Sequence, residues 1–516
     1  MNCATRRWNF PSPPILFRIH PKLNCEPCSN GLKKICRGET ADPAKRNDGW
    51  RKRFPLNLCF DRVTYSEAIQ FLYGLRLFGA KFGLENTFKL AALAANPQEK
   101  LRFIHVAGTN GKGSTCAMLE SIYRTAGLRV GLFTSPHLVS FRERIQVNRQ
   151  LISEIEVVRL VAELQPLFKQ FPADHHPTFF EVVTVMALKL FAEQKCDLVV
   201  WETGLGGRLD TTNIVTPLAS VITNIALDHQ QWLGDTPGKI AFEKAGIIKR
   251  GIPVVTATDE PEALAVIEKV ARKNNAPLKI IGGDAALRRP DSAARCPYLP
   301  LLGEHQKINA ALALTAVEIL QKQIPISDER IRAGLASVNW PGRLQLVQGP
   351  DGQKILLDGA HNVAGAKVLC EALRSGVPGT GSACLKDEPC RAEAVPGVPI
   401  TFILGILQDK DWRHICETLA PLAPRIFTVP VASERAADAS ELAGACRAAN
   451  PSAKILACAN MAEALKNSAN EEFVVITGSL YLVGEALELL GLSPAAESER
   501  GLNEWSVAAQ PASVGR

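Results

Sequence analysis

The sequence lacks several features that mark special classes of protein. No apolar run approaches the roughly 18 residues that a membrane helix needs, so the sequence predicts no membrane-spanning segment and no membrane partner. No internal repeat of solenoid period is present. The 14 cysteines are scattered, and the tight pair Cys25 and Cys28 has no second pair that would complete a zinc site. We therefore expect reduced cysteines and neither a disulfide framework nor a structural zinc ion.

An excess of either charge is lacking from most of the chain, although the net charge is +7. Residues 1–53 hold 12 Lys and Arg residues against 4 Asp and Glu residues. The remainder holds 47 basic and 48 acidic residues, so its charge is nearly balanced. A nucleic-acid-binding domain carries its positive charge on the folded body. We therefore expect no nucleic-acid partner.

The N-terminal segment has a composition of its own. It contains Arg6, Arg7 and Arg18, and no acidic residue precedes Glu26. Arg-rich and acid-poor leaders are typical of organellar transit peptides. We predict such a leader over residues 1–53, with the mitochondrial matrix as the destination and the plastid as an alternative. The competing interpretation is a solvated, disordered extension of a cytosolic protein.

Short apolar runs alternate with segments of helical periodicity along the rest of the chain. Strands are predicted in LRFIHVAG, RVGLFTS, CDLVVWE, ASVITNIALD and IPVVTAT, and again in KILLDGAHN, ITFILGIL, RIFTVPV, KILACA and EFVVITGSL. Continuous apolar strands of this kind are typical of parallel sheets covered on both faces. A length of 516 residues exceeds what one hydrophobic core supports. The sequence therefore predicts an α/β protein with two domains.

Composition places the boundaries of these domains. A Trp-Pro-Gly sequence near residue 340 separates the two sets of strands, which predicts domains over residues 60–340 and 341–492. Residues 376–398 are rich in Gly and Pro and are predicted to form a flexible surface insertion. Residues 493–516 are polar and are predicted to be a disordered tail.

The segment FIHVAGTNGKGSTCAML resembles a phosphate-binding loop but lacks the hydroxyl residue that ordinarily follows the lysine. Gly113 follows Lys112, and the hydroxyl group comes at Ser114. Gly108 and Gly111 would let the backbone turn after a strand. A helix starting at about Ser114 would then present its N-terminus to phosphate, with the Lys112 charge beside it. This pattern favours nucleotide binding, and the alternative is a glycine-rich turn without special function.

Charged residues follow other predicted strands. Glu202 ends the strand CDLVVWE and is either a Mg²⁺ ligand beside the phosphate loop or a solvated strand end. His229 follows Asp228 after another strand and is either a structural histidine or a ligand of a second divalent ion. Lys244 lies in the apolar segment EKAGIIK, where a free ammonium would be costly. It must therefore be paired, neutral or modified.

Eight segments together resemble the folylpolyglutamate synthase/dihydrofolate synthase family, within the Mur-ligase group of ATP-dependent amide-forming ligases. In chain order they are GTNGKGS, TSPHL, ETGLGGRLDTTN, ALDHQQWLG, EKAGIIK, GEHQKINAALA, PGRLQ and DGAHN. The resemblance covers about residues 60–490, and T-N-G-K-G-[ST] is this group's own form of phosphate loop. It implies a P-loop-type, mostly parallel ATPase domain followed by a smaller Rossmann-like α/β domain.

The resemblance also implies roles for the matching positions. ATP would contact Thr109, Asn110, Gly111, Lys112, Gly113, Ser114, Asn309, Arg343 and Asp358. Two Mg²⁺ ions would be held by Ser135, Glu202 and His229, and a monovalent cation is a further candidate cofactor. The pteroate would lie against Gly79, Ala80, Lys81, Phe82, Thr178, Phe179, Phe180, Glu181, Leu209, Asp210 and Thr211. The catalytic residues would be Lys112, Lys244 and His361, with Lys244 carbamylated by CO₂.

The implied reaction converts a carboxylate into an acyl phosphate at the expense of ATP and then joins it to the amine of L-glutamate. The segment LGGRLDTTN resembles that of bacterial-type bifunctional enzymes and plant organellar dihydrofolate synthases. Together with the predicted organellar leader, this resemblance favours a dihydrofolate synthase acting on 7,8-dihydropteroate. Folylpolyglutamate synthase, or an enzyme with both activities, is the alternative, and a monomer is expected. A P-loop kinase or switch would explain Lys112 and Glu202 but not DGAHN or Lys244. A catalytically inactive scaffold is disfavoured because every expected polar site residue is present.

Overall fold

The computed structural model describes residues 63–76, 83–172, 175–282, 298–349, 352–375 and 399–493, together with Glu499. It also gives the backbone of two dipeptide strands, Pro378–Gly379 and Glu393–Ala394, which pair antiparallel. The predicted leader, the predicted pteroate residues 79–82, the rest of the predicted insertion and most of the predicted tail lie outside the described residues.

Eight strands of the described residues form the first sheet. They are β1 (Phe103–Ala107), β2 (Val130–Phe133), β3 (Ile145–Val147), β4 (Gln150–Leu151), β5 (Leu198–Glu202), β6 (Ala219–Ile222), β7 (Val254–Thr256) and β8 (Leu278–Ile280). Their order is β4-β3-β2-β5-β1-β6-β7-β8. Pairing is parallel from β2 to β8, and β3 and β4 add an antiparallel edge. The predicted class of mostly parallel α/β structure is confirmed here.

Helices cover both faces of the first sheet. They are α1 (Tyr65–Leu75), α2 (Glu85–Leu93), α3 (Lys112–Thr125), α4 (Glu154–Leu164), α5 (Phe179–Glu193), α6 (Gln230–Leu233), α7 (Pro237–Ala245), α8 (Pro261–Lys273), α9 (Glu304–Leu320) and α10 (Asp328–Ala336). Alternate strand residues point to opposite faces. Phe103 and Trp201 therefore pack with α1, α2, α4 and α5, whereas Ile104 and Val200 pack with α3, α9 and α10. We call this sheet and its helices the first lobe.

The second lobe is a six-stranded sheet with its own helices. Its strands are β9 (Gln345–Gln348), β10 (Lys354–Leu357), β13 (Ile400–Leu404), β14 (Arg425–Thr428), β15 (Lys454–Ala457) and β16 (Phe473–Thr477), with the two dipeptide strands numbered β11 and β12. Its helices are α11 (Val363–Arg374), α12 (Trp412–Leu419), α13 (Ala439–Ala449), α14 (Met461–Asn467) and α15 (Leu480–Leu489). The order is β15-β14-β13-β16-β10-β9, and the pairing is parallel except between β9 and β10.

All ten predicted strand segments contain strands of the structure. Strands β3, β4, β8 and β9 were not predicted; each is only two to four residues long, and β4, β8 and β9 contain no buried residue. Helix α3 begins at Lys112, two residues before its predicted start. The division near residue 340 stays a prediction. Among the described residues, no helix combines the length and apolarity that crossing a bilayer requires.

The two lobes pack against each other through a short segment of the first. Val139 is fully buried in a core whose other members belong to the second lobe, including Ile355 and Leu482. Gly484 in α15 lies so close to the carbonyl oxygen of Leu138 that a Cβ atom there would stand 2.0 Å from it. The absence of a side chain at Gly484 therefore permits the close approach of the two lobes.

Candidate active site

A cavity of about 560 Å³ lies where the strands of both sheets end. Loops after β1, β2, β5 and β6 line it from the first lobe, and loops after β10, β13 and β16 line it from the second. Ligands of open parallel sheets bind at this edge. Every described residue predicted to contact ATP or metal lines the cavity, namely Thr109, Asn110, Gly111, Lys112, Gly113, Ser114, Ser135, Glu202, His229, Asn309, Arg343 and Asp358.

The phosphate loop is fixed by backbone contacts to the neighbouring strand end. Asn224 accepts hydrogen bonds from the backbone N–H of Thr109 and of Asn110, each at 2.8 Å. A Cβ atom at Gly108, whose φ is +148°, would lie 1.8 Å from the Thr223 hydroxyl. Gly111 is left-handed, with φ of +82°, and caps α3. Glycine is required at both positions, and the N-terminus of α3 consequently faces the cavity.

Two lysines converge on one carbonyl oxygen of this loop. Lys112 Nζ donates to Gly108 O at 3.1 Å and to Thr109 O at 3.1 Å. Lys244 Nζ donates to the same Gly108 O at 2.8 Å, although it is 136 residues away along the chain. Two positive groups at one acceptor repel each other, so the arrangement favours a neutral or negatively charged state of one of them.

Lys244 has the properties of that altered lysine. Its side chain is buried, and burial followed by the Lys112 charge lowers its pKa to about 7. At neutral pH a large fraction of its amine is therefore unprotonated and able to react with CO₂. A carbamate would replace repulsion from Lys112 with attraction. The residues present thus fit the predicted modification.

Glu202 is the last residue of β5, and the residue before it, Trp201, is held by two contacts. The Trp201 ring stacks on Phe133 with 4.4 Å between centroids, and its Nε1 donates to Thr212 O at 2.9 Å. Burial raises the pKa of Glu202 to about 7, against the lowering effect of Lys112. Its Oε2 accepts from Ser135 N at 3.1 Å. A buried carboxylate whose charged form is disfavoured would be stabilised by a cation.

These donors fit a magnesium ion that is also bound by ATP. The Glu202 carboxylate and the Ser135 hydroxyl are hard oxygen ligands of the kind that Mg²⁺ prefers. Within the described ranges, no three His, Cys, Asp or Glu side chains gather as a metal cluster. Phosphate oxygens and water would therefore have to complete the coordination. His229 is a separate case, because its Nε2 lies 3.2 Å from Lys410 Nζ.

Asp228 links the two lobes. Its Oδ1 accepts from Lys410 Nζ at 2.6 Å and from His229 N at 2.8 Å. Its Oδ2 accepts from Asn362 Nδ2 at 2.9 Å and lies 3.6 Å from His361 Nε2. Burial alone would raise the pKa of Asp228, but His229 and Lys410 outweigh it and hold this pKa below its ordinary value. The carboxylate is therefore ionised and surrounded by donors.

The second lobe contributes a strand-end aspartate and a histidine. Asp358 follows β10 and accepts from Leu344 N and Ala360 N, each at 2.9 Å. His361 Nδ1 lies 2.7 Å from Gly359 O, which can only accept, so this nitrogen carries a proton. Burial and then the Lys410 charge lower the pKa of His361 to about 4. A neutral His361 thus presents an unprotonated Nε2, which can accept a proton.

Six of the predicted pteroate residues form one wall of the cavity. Thr178, Phe179, Phe180, Leu209, Asp210 and Thr211 all line it. The Asp210 carboxylate closes its own loop by accepting from Leu205 N at 2.7 Å. Glu181 does not line the cavity, because its carboxylate accepts from Thr178 N at 2.7 Å and caps α5. Its role toward the pteroate stays a prediction, as do the roles of the other residues.

Several cavity residues were not predicted to act there. Lys410, Arg144 and Arg435 line the cavity, and Asn362 contacts Asp228 beside it. Arg144 lies over the Phe179 ring at 5.5 Å and donates from Nε to His137 Nδ1 at 2.9 Å. A signal for Lys410 was present, because the charged run QDKD follows directly after an apolar strand.

Two family models match this chain. Residues 106–317 match the Mur ligase middle domain, and residues 346–489 match the dihydrofolate synthetase C-terminal domain. The dihydrofolate synthase/folylpolyglutamate synthase of Bacillus subtilis is 38% identical over 448 residues, which are 82% of this chain and 98% of that protein. The chain belongs to the dihydrofolate synthase/folylpolyglutamate synthase family. It is therefore an ATP-dependent ligase of folate metabolism.

Further comparisons agree with this family. The structure of Escherichia coli FolC in complex with DHPP and ADP is 29% identical and superimposes with a TM-score of 0.70, covering 83% of this chain and 98% of that one. The mitochondrial folylpolyglutamate synthase of Bos taurus is 35% identical over 336 residues, which are 59% of this chain and 55% of that protein. Both the fold and the two-lobed arrangement are thus shared with ligases of this family.

Proposed function

We propose that this ligase is a dihydrofolate synthase, which joins L-glutamate to 7,8-dihydropteroate and converts ATP to ADP and phosphate. The observation that carries the proposal is the meeting of four groups at one cavity. The phosphate loop, the buried Lys244 and the second-lobe residues Lys410 and His361 face each other beside the aromatic wall of Phe179 and Phe180. That arrangement suits a reaction between a nucleotide, an aromatic acid and a third substrate.

The first step would activate the pteroate carboxylate. Its oxygen attacks the γ-phosphorus of ATP, the bond to ADP breaks, and an acyl phosphate forms. Both reacting groups are anionic, so a cation must lie between them; Lys112 and the N-terminus of α3 would supply positive charge there. Bound Mg²⁺, held by Glu202 and Ser135, would supply further charge neutralisation.

The second step would form the amide. The amine of glutamate attacks the acyl carbon, phosphate leaves, and the amine loses a proton. His361 would accept that proton, because it lines the cavity and its Nε2 is unprotonated. A predominantly neutral His361 fits this task better than a charged imidazolium.

The choice of dihydropteroate as acceptor rests on the segment LGGRLDTTN, which resembles bacterial-type bifunctional enzymes and plant organellar dihydrofolate synthases. Addition of glutamate to tetrahydrofolate is the second candidate activity. It is favoured by the Bacillus subtilis relative, whose name carries both activities. Both reactions would use the same two steps.

We also propose that the enzyme acts as a monomer in the mitochondrial matrix. The Arg-rich leader supports an organellar destination. The name of the bovine relative, a mitochondrial folylpolyglutamate synthase, agrees with that compartment. The plastid and the cytosol are the competing locations, and import of a tagged full-length chain would distinguish them.

Mass spectrometry of the products tests the proposed function. Purified enzyme is incubated with ATP, Mg²⁺ and L-glutamate, and with either dihydropteroate or tetrahydrofolate as acceptor. We expect dihydrofolate from the first acceptor. Product from tetrahydrofolate alone would replace the proposal with folylpolyglutamate synthase, and product from both would make the enzyme bifunctional. Release of ADP without an amide product from either acceptor would indicate a kinase or a switch.

A further inference from the structure

Lys410 is a buried cation that crosses from one lobe to the other. It follows β13 in the second lobe, and its side chain is 6% exposed. Its Nζ lies 2.6 Å from Asp228 Oδ1 and 3.2 Å from His229 Nε2, both in the loop after β6 of the first lobe. Lys410 and Asp228 are 182 residues apart in sequence. The pair can therefore exist only while the two lobes are closed on each other.

A second contact ties the same closure to the phosphate loop. Asn362, the N-cap of α11 in the second lobe, donates from Nδ2 to Asp228 Oδ2 at 2.9 Å. The same Nδ2 lies 3.0 Å from Asn110 Oδ1, and Asn110 Nδ2 donates to Asn362 Oδ1 at 3.2 Å. Both oxygens of Asp228 are thus held by second-lobe donors, and one donor also holds the loop.

Burial makes this pair sensitive to its surroundings. A lysine and an aspartate that leave water lose much hydration, and their mutual attraction offsets this loss only in good geometry. Opening the lobes would let water solvate both groups again. A pair of this kind contributes little net stability to the chain but discriminates sharply between a closed state and an open one.

Closure matters because the proposed intermediate is unstable in water. When water instead of an amine attacks the acyl carbon, the carbon–oxygen bond to phosphate breaks. Carboxylate and phosphate leave, and the proton goes to solvent. ATP is then consumed without an amide. An enzyme of this kind needs a closed cavity from the time the acyl phosphate forms until the amine attacks.

We propose that Lys410 is a positioning residue that latches the second lobe over the acyl phosphate through Asp228, so that the amine attacks and water does not. The inference rests on the proposed function. The competing interpretation is an ion pair that serves only the stability of the fold. A third interpretation is direct binding of the glutamate carboxylate by Lys410.

The chain offers a matched control for the interpretation that the ion pair serves only the stability of the fold. Lys239 and Asp235 also lie 2.6 Å apart, but their side chains are 62% and 70% exposed and both lie on the first lobe. Lys239 does not line the cavity. Lys239→Met therefore removes a lysine–aspartate pair of the same length without affecting closure.

The experiment measures the number of ADP molecules released for each amide formed. Wild type and Lys239→Met should release one. Lys410→Met should release an excess of about tenfold or more, because a misplaced lobe leaves the intermediate open to water. Lys410→Arg should restore most of the coupling, because it retains a buried cation. ADP should bind Lys410→Met about as tightly as wild type, because the hydrogen bonds from Thr109 N and Asn110 N to Asn224, which hold the phosphate loop within the first lobe, do not involve Lys410.

Asp228→Asn and the double variant Lys410→Met/Asp228→Asn keep the test valid if a single unpaired charge impairs folding. The double variant has no unpaired charge at this position and should still be uncoupled. A ratio of one for a folded Lys410→Met or for the double variant would overturn the inference. So would a rise confined to the KM for glutamate at an unchanged ratio, which would indicate carboxylate binding.

The same assay separates failure of the inference from failure of the proposed function. If the wild type forms amide from tetrahydrofolate only, the proposed acceptor is wrong. The ratio measured with that acceptor then decides on Lys410. Absence of amide from both acceptors would overturn the function and the latch together.

Discussion

The two sheets meet the same cavity with different residues at the ends of their strands. The first sheet contributes the glycine loop, Lys244 and the acidic residues Glu202 and Asp228, most of them buried. The second contributes polar side chains from the loops after three strands, among them Asp358, Lys410 and Ser479. Parallel sheets place polar groups at this edge in both cases. This difference supports our proposal that the first lobe performs the phosphoryl chemistry and that the second lobe closes over it.

The largest expected effect comes from replacing Lys112, in the phosphate loop that follows β1 of the first sheet. Lys112→Ala removes the charge that donates to Gly108 O and Thr109 O, so both ADP formation and amide formation should fall by about 10³-fold or more. The thermal midpoint should change little, because this side chain packs into no core. Steady-state rates and a melting curve check both statements. Activity within about tenfold of wild type would contradict the phosphate role.

Replacement of Lys244 should have the second-largest effect, because its carbamate would place a negative charge beside Lys112 at the phosphate loop. Lys244→Ala should lose most activity and recover part of it with short carboxylic acids, which can occupy the vacated anion position. Lys244→Arg keeps the positive charge and cannot carry a carbamate, so it should stay inactive and resist rescue. An arginine variant that is almost fully active would remove Lys244 from the mechanism.

The same residue predicts a pH dependence. The pKa of Lys244 is lowered to about 7, so its neutral fraction rises from about a tenth at pH 6 to about nine tenths at pH 8. A carbamate forms from the neutral amine, so ¹³CO₂ labelling followed by NMR should give a stronger carbamate signal at pH 8 than at pH 6. A lysine of ordinary pKa would give little signal at either pH.

One glycine from each lobe tests the comparison of the two lobes through substitution by alanine. Gly108→Ala would place a Cβ atom 1.8 Å from the Thr223 hydroxyl, so it should weaken nucleotide binding and cost about 1–3 kcal/mol of stability. Gly444 lies exposed within α13 of the second lobe, and a Cβ atom there meets nothing within 4 Å. Gly444→Ala should therefore stabilise the protein by about 0.5–1 kcal/mol. Denaturant unfolding and ADP titration of both variants provide the check.

The smallest effect on catalysis should come from removal of the predicted leader. Removal of residues 1–53 should leave the rate of amide formation unchanged, because the predicted domains begin after it. The truncated chain should remain in the cytosol of cells. Continued import of the truncated chain into an organelle would show that the targeting information lies elsewhere.

Much of this arrangement could be predicted from local sequence patterns. Apolar runs predicted ten of the strands, and the glycine spacing predicted the phosphate loop. Burial of Lys244 followed from its apolar neighbours in EKAGIIK, although its contact with Gly108 O did not. These features depend on residues near each other in the chain, where periodicity and turn chemistry are informative.

Contacts between the lobes could not be predicted in this way. The Lys410–Asp228 pair joins residues in two separate sheets, and no local pattern relates them. The contact of Glu499 could not be predicted from local patterns either. This residue of the predicted tail accepts a hydrogen bond from Ser140 Oγ at 2.9 Å. The capping role of Glu181 could have been predicted, because Thr178-x-x-Glu181 is the pattern of a helix capping box.

The central claim is that the acceptor carboxylate itself is phosphorylated before the amide forms. Dihydropteroate labelled with ¹⁸O in its carboxylate tests this claim most directly when it is incubated with the enzyme, ATP, Mg²⁺ and L-glutamate. Attack of that carboxylate on the γ-phosphorus transfers one ¹⁸O atom into the phosphate released. We expect one labelled oxygen in each phosphate, measured by mass spectrometry alongside dihydrofolate. Unlabelled phosphate would contradict an acyl-phosphate ligase and would assign the ATP chemistry of this cavity to water or to another acceptor.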